Sequence, residues 1–131
     1  MSTLLLDTNA YTQFLAGNTE ILSLLSMADT LYMSVFVLGE LYAGFRGGSK
    51  EKENRKILND FLGKPTVKKL FATTETADFF GHIKHTLKLA GTPIPINDIW
   101  IAAHAMETGS LVVTYDKHFE QVAGIRIASL K

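Results

Sequence analysis

Leu4-Leu5-Leu6-Asp7-Thr8-Asn9, near the start of the chain, is the stretch that decides the fold. An apolar run ends abruptly in a carboxylate, a hydroxyl and an amide. A continuous apolar run suits a strand buried on both faces of a parallel sheet. In open α/β sheets, ligands bind beyond the carboxyl ends of the strands. Asp7 is therefore expected at the mouth of a functional crevice, and the question becomes which other acids meet it there.

Downstream of Asp7 the pattern predicts a short helix with Tyr11, Phe14 and Leu15 on one face, closed by Gly17-Asn18. Thr19 then caps a second helix whose apolar stripe is Ile21, Leu22, Leu24 and Leu25. Residues 31–33 read as a second strand. Ser34 suits an N-cap, and Val35, Leu38, Leu41, Tyr42 and Phe45 recur at helical spacing up to Gly47-Gly48. Within that helix Glu40 is the sole carboxylate among apolar and small residues. Residues 51–62 form a charged surface helix with Ile57, Leu58, Phe61 and Leu62 inward, and 67–71 a partly exposed third strand. A long helix over 74–91 turns Ala77, Phe80, Ile83 and Leu87 inward. After the rigid Thr92-Pro93-Ile94-Pro95, Asn97 caps a helix over 98–108 that Gly109 closes. Residues 111–114 are the clearest later strand, ending near Asp116, and 125–127 the last.

Strands alternating with helices imply an α/β chain with a parallel sheet covered on both sides. The carboxyl ends of parallel strands share one edge, so Asp7 and Asp116 come to a common rim. Asp98, in the first turn of a helix, and Glu40, in the helix after strand two, can reach the same place.

The 131 residues are most economically a single domain, 1–131, and 47% hydrophobic residues suffice for a real core. No apolar stretch is long enough to span a bilayer, and no basic region precedes the first apolar run. The absence of cysteine excludes disulfides, zinc–thiolate sites and thiol catalysis, and fits the cytoplasm. Net charge is zero, but its distribution is uneven. Residues 1–45 hold no Lys or Arg. Residues 46–69 hold Arg46, Lys50, Lys52, Arg55, Lys56, Lys64, Lys68 and Lys69 against Glu51, Glu53 and Asp60. That stretch is either a footprint for phosphates or a solvated helix face.

Anions gather in one cleft only with compensation, because repulsion raises their pKa values. A divalent cation removes the conflict, and oxygen ligands without Cys or a His pairing favour Mg²⁺ or Mn²⁺ over zinc. Such an ion activates water and offsets charge on a phosphate. Asn9 and Thr114 are placed to orient ligands or waters. Each acid also has a plainer reading. Asp7 suits a turn or helix cap, Glu40 a surface position, Asp98 a favourable place at a helix N-terminus, and Asp116 an ordinary turn. The strength lies in their combination. His82 and His85 share a helix face but read as a partly exposed pair, and His104 and His118 as surface or packing residues. Trp100, Tyr32, Tyr42 and Phe45 read as core or interface. An aspartyl-nucleophile phosphatase would carry Asp-x-Asp after strand one, where Asn9 stands instead of the second acid.

At these residues the chain resembles PIN-domain ribonucleases of the VapC toxin type. Four blocks carry the likeness, in the family's order and spacing: Leu5-Leu6-Asp7-Thr8-Asn9; Gly39-Glu40-Leu41-Tyr42-Ala43-Gly44; Ile96-Asn97-Asp98-Ile99-Trp100-Ile101-Ala102-Ala103-His104-Ala105; and Leu111-Val112-Val113-Thr114-Tyr115-Asp116-Lys117-His118-Phe119. The resemblance implies a three-layer α/β/α sandwich with a central parallel sheet of about five strands. It implies a metal-dependent endoribonuclease, the toxin of a toxin–antitoxin pair, with Asp7, Glu40, Asp98 and Asp116 holding Mg²⁺ or Mn²⁺. Asp7 and Asp98 would be direct ligands, Glu40 would orient a ligand or water, and Asp116 would complete the site. Thr8, Asn9 and Thr114 would support them, and Arg46 is a candidate RNA contact. It also implies an RNA substrate, a homodimer, and a VapB-like antitoxin blocking the cleft; the helices over residues 11–15 and 35–45 are read as offering an apolar groove for an antitoxin helix or strand. Tyr115 stands where the family often carries Arg, and Val37 where it often carries Ser or Thr, which alters contacts around the site but leaves the four acids intact. A PIN nuclease of RNA processing or DNA cleavage, and a non-catalytic PIN scaffold, are the alternatives.

Overall fold

A computed structural model of the chain describes residues 2–128 and 130. Five strands form one parallel sheet: β1 (Thr3–Leu6), β2 (Thr30–Ser34), β3 (Val67–Leu70), β4 (Leu111–Val113) and β5 (Arg126–Ala128), in the order β3-β2-β1-β4-β5. Between them run α1 (Thr8–Leu15), α2 (Thr19–Ser26), α3 (Val35–Gly47), α4 (Glu51–Leu62), α5 (Thr74–Ala90) and α6 (Ile96–Thr108), with a short 3-10 helix at Lys117–Gln121. Successive residues of a strand face opposite sides. Leu4, Leu5 and Leu6 are all buried, so β1 is covered on both faces. Helix α1 packs on α2 and α3, α3 on α4, and α5 on α6, with α3 also touching α6; together with the sheet they make the three-layer arrangement.

The strand order places the reversal of chain direction between β1 and β4. From β1 the sheet grows outward through β2 to β3, then returns to the other flank of β1 for β4 and β5. Ligands of doubly wound sheets bind at such a switch point. Asp7 sits directly on it, its backbone N–H donating to the carbonyl of Val113 at 3.2 Å.

Local signals set several boundaries as the sequence predicts. Ser34 caps α3 by accepting from the Phe36 N–H at 3.1 Å. Gly91 and Gly109, with φ of 70° and 67°, close α5 and α6 in the left-handed conformation that glycine adopts without a Cβ penalty. Other details differ. Asn18, not Thr19, caps α2, its Oδ1 accepting from the Ile21 N–H. Helix α6 starts at Ile96, behind Pro95, so Asn97 lies inside the first turn and caps nothing. Strand β3 stops at Leu70, leaving Phe71 exposed. Leu15, Leu22 and Ile57 also face outward: each is one step of about 100° around its helix from the buried or half-buried Phe14, Ile21 and Leu58. Ala77 is exposed as well, and the buried position of that first turn belongs to Thr76.

Candidate active site

The end of β1 and the end of β4 together build the floor of the site. Asp7 is 5% exposed, and both of its oxygens are held. Oδ1 accepts from the Ala10 N–H at 2.9 Å, so Asp7 also caps α1. Oδ2 accepts from the hydroxyl of buried Thr114. Thr114 Oγ1 in turn accepts from the Asp116 N–H at 2.8 Å, which couples the two acids through one side chain. Asp116 caps the 3-10 helix by accepting from the His118 N–H at 2.8 Å. The plain reading of Asp7 as a helix cap holds, and the same carboxylate also lines a cleft that it shares with Glu40, Asp98 and Asp116.

Helices bring the other two acids. Asp98 stands in the first turn of α6, where the helix dipole favours a negative charge. Glu40 projects from the middle of α3, and the Thr8 hydroxyl donates to its Oε1 at 2.6 Å. Val37, one turn before it, is wholly buried, so the support for Glu40 comes from α1. Asp7, Thr8, Asn9, Glu40, Asp98, Ile101, Tyr115 and Asp116 line one cleft of about 290 Å³. Every predicted acid and Asn9 are thus brought together, with Thr114 beneath them. Arg46 is not among the lining residues: it lies in the last turn of α3, mostly exposed, with its Nε 3.8 Å from Glu51.

Crowded carboxylates in a half-closed cleft resist ionisation. Burial is the main cause that lifts Asp7 above the ordinary carboxylate value; its hydrogen bonds from Thr114 and Ala10 oppose the rise, and repulsion from Asp116 and Glu40 adds to it. Asp98 is pushed up to about 6, first by burial and then by Asp116, with His118 pulling the other way.

His118, read from the sequence as a surface or packing residue, is exposed and also leans over two of the acids. Its Nδ1 lies 3.1 Å from Asp98 Oδ2 and 3.0 Å from Asp116 Oδ1, and the bond to Asp98 is the leading cause that raises its pKa. The signal for it was its position two residues after Asp116, which a tight turn folds back over the acid. His82 and His85 are exposed, as their sequence reading had them. His104 is wholly buried, a packing residue whose Nδ1 meets Ser34 Oγ at 2.9 Å and whose Nε2 meets the Phe71 carbonyl at 3.2 Å. Trp100 stacks between Phe36 and Phe80, with centroid distances of 4.9 and 4.1 Å.

The donor set fits a divalent cation. Neither Lys nor Arg is among the residues lining the cleft, so no permanently charged cation balances the carboxylates in that lining. One ligand atom each from Asp98, Asp116 and His118 lies within 4.8 Å of the others. Carboxylate oxygens suit Mg²⁺ or Mn²⁺, and the imidazole adds a nitrogen that the sequence reading left out.

The PIN domain family matches residues 4–125 of the chain. Ribonuclease VapC2 of Haemophilus influenzae is 34% identical over 125 residues, covering 93% of each chain. Among solved structures, DNA-bound VapBC from Salmonella typhimurium superposes with a TM-score of 0.86 at 28% identity, over 98% of both chains. VapBC-1 from nontypeable Haemophilus influenzae gives the same TM-score, 0.86, at 25% identity and 97% coverage of each. No helix among the described residues is long and apolar enough to cross a membrane.

Proposed function

The chain belongs to the PIN domain family, among the VapC ribonucleases, and from that membership we propose that it is the endoribonuclease toxin of a toxin–antitoxin pair. The observation that carries the chemistry is the cleft in which Asp7, Glu40, Asp98 and Asp116 converge at the switch point between β1 and β4. The reaction is hydrolysis of an RNA phosphodiester bond. Its partner is a VapB-like antitoxin, as in the VapBC assemblies that the fold resembles. Cytoplasmic RNA is the natural substrate for such a chain.

Asp7, Asp98 and Asp116 would hold Mg²⁺ or Mn²⁺, with Glu40 at the rim. When bound, the ion makes water a better nucleophile and offsets charge that develops on the phosphate. The chain's own part is to keep its acceptors in place before substrate arrives. Thr114 and the Ala10 N–H fix both oxygens of Asp7, which removes its rotational freedom. Thr8 holds Glu40 at Oε1 and leaves Oε2 to orient a water or a ligand. His118 bridges Asp98 and Asp116 and favours the ionised form of Asp98.

The direct test is RNA cleavage by purified protein with Mg²⁺ or Mn²⁺, run beside a chelator and Asp7→Ala. Cleavage lost in both controls supports the carboxylate–metal mechanism. Cleavage that survives either control overturns it.

A further inference from the structure

The bonding of Asn18 and Tyr115 leaves one donor, the phenol hydrogen, uncommitted among the described residues. Asn18 sits between α1 and α2, 97 residues from Tyr115 in sequence, and its Nδ2 lies 2.8 Å from the Tyr115 phenol oxygen. Which end of the amide faces Tyr115 is fixed by the other end, because Oδ1 accepts from the Ile21 N–H at 3.1 Å as the cap of α2. The amide therefore donates and the phenol accepts. An accepting phenol still carries its own hydrogen. Among the described residues no acceptor takes that hydrogen.

Tyr115 lines the acid cleft beside Asp116, and on its other side it lines the adjoining cleft with Lys117, Glu120 and Ile127. A phosphate entering the acid cleft meets four carboxylates and no Lys or Arg in its lining. A neutral O–H donor is what can bind a phosphate oxygen there without competing with a cation for the acids. We propose that Tyr115 is a substrate-positioning residue whose hydroxyl, oriented by Asn18, donates to a phosphate oxygen of the RNA backbone at the cleft. This rests on the ribonuclease reading above. Phosphate contacts set register and carry no base information, so a generic RNA reports on it.

The test uses a short fluorescein-labelled single-stranded RNA. Anisotropy in Ca²⁺ gives binding, and steady-state cleavage in Mg²⁺ or Mn²⁺ gives KM and kcat. Tyr115→Phe keeps the ring and is expected to weaken binding and raise KM about three- to tenfold, the range of one hydrogen bond, with kcat within about twofold. Asn18→Asp preserves the helix cap but turns the amide donor into an acceptor that captures the phenol hydrogen. It is expected to match Tyr115→Phe, and to add nothing further in the Tyr115→Phe background. A merely structural ring would leave both variants silent. The inference is overturned if Tyr115→Phe binds RNA like the wild type, or if Asn18→Asp weakens binding equally with and without the hydroxyl, which would mark simple charge repulsion. A wild type that binds RNA with these differences but never cleaves sinks the ribonuclease reading and leaves the contact standing. A wild type that binds no RNA sinks both.

Discussion

Asp7 is a buried carboxylate in a site with too few positive charges to balance it, and this has a measurable signature. Its pKa in the folded protein is raised, chiefly by burial. A raised acid binds its proton more tightly folded than unfolded, so the native state is favoured below the ordinary carboxylate value of 3.8 and loses that advantage as pH rises through the folded value. For Asp98 the same window runs from 3.8 to about 6. At pH 7 both groups therefore burden the metal-free fold. Asp7→Asn removes the charge while keeping an oxygen for the Ala10 N–H. Thermal unfolding in chelator at pH 7 is expected to show this variant about 2–5 °C more stable than wild type, the response of a domain of this size to roughly 1 kcal/mol. The same variant is expected to lose RNA cleavage by at least about a hundredfold, as an enzyme stripped of a metal ligand would. The gain should shrink as pH approaches 4. A variant less stable than wild type at pH 7 would show that the hydrogen bonds of Asp7 outweigh its burial.

The same accounting between elements falls on His104, which ties α6 to the start of α3. Nε2 faces a carbonyl and must carry the proton, so Nδ1 accepts from Ser34 Oγ, which itself accepts from the Phe36 N–H. This chain needs a neutral imidazole, and burial lowers the His104 pKa. A lowered base leaves stability unchanged above 6.5 and erodes it as pH falls below 6.5, opposite in sign to the acids. His104→Gln is expected to flatten that acid-side fall in Tm; an unchanged slope would assign it to other groups. Such couplings mark how far the sequence could be read. The strands at Leu4–Leu6 and Leu111–Val113, the Ser34 cap and the glycine stops were legible because hydrophobic runs and cap chemistry act over a few residues. The four acids were legible because parallel strands share an edge and a family resemblance supplied the order. His118 over Asp98 and Asn18 on Tyr115 were not, since each depends on how a turn or a distant helix end packs. Leu15 and Leu22 misled for a related reason: a run of apolar residues does not say which of two neighbours faces the sheet.

The whole molecule assembles its site only when folded, because β1, α3, α6 and the turn after β4 contribute one acid each. The unfolded chain spreads those carboxylates over about a hundred residues and offers no comparable site. A divalent cation that binds the native cleft alone must therefore stabilise the fold by mass action, by about 2.7 kcal/mol at a hundred times its Kd. For a chain of 131 residues that is a rise in Tm on the order of 10 °C. Screening of the acids by salt would also raise Tm, but monovalent salt at matched ionic strength supplies that effect without coordination. Mg²⁺ or Mn²⁺ is expected to exceed it clearly. Asp7→Asn and Asp98→Asn separate the two contributions, since each starts from a site with less repulsion and should gain little from the ion. An equal rise with monovalent salt, or a full rise in both variants, would mean that the acids repel one another without forming a cation site.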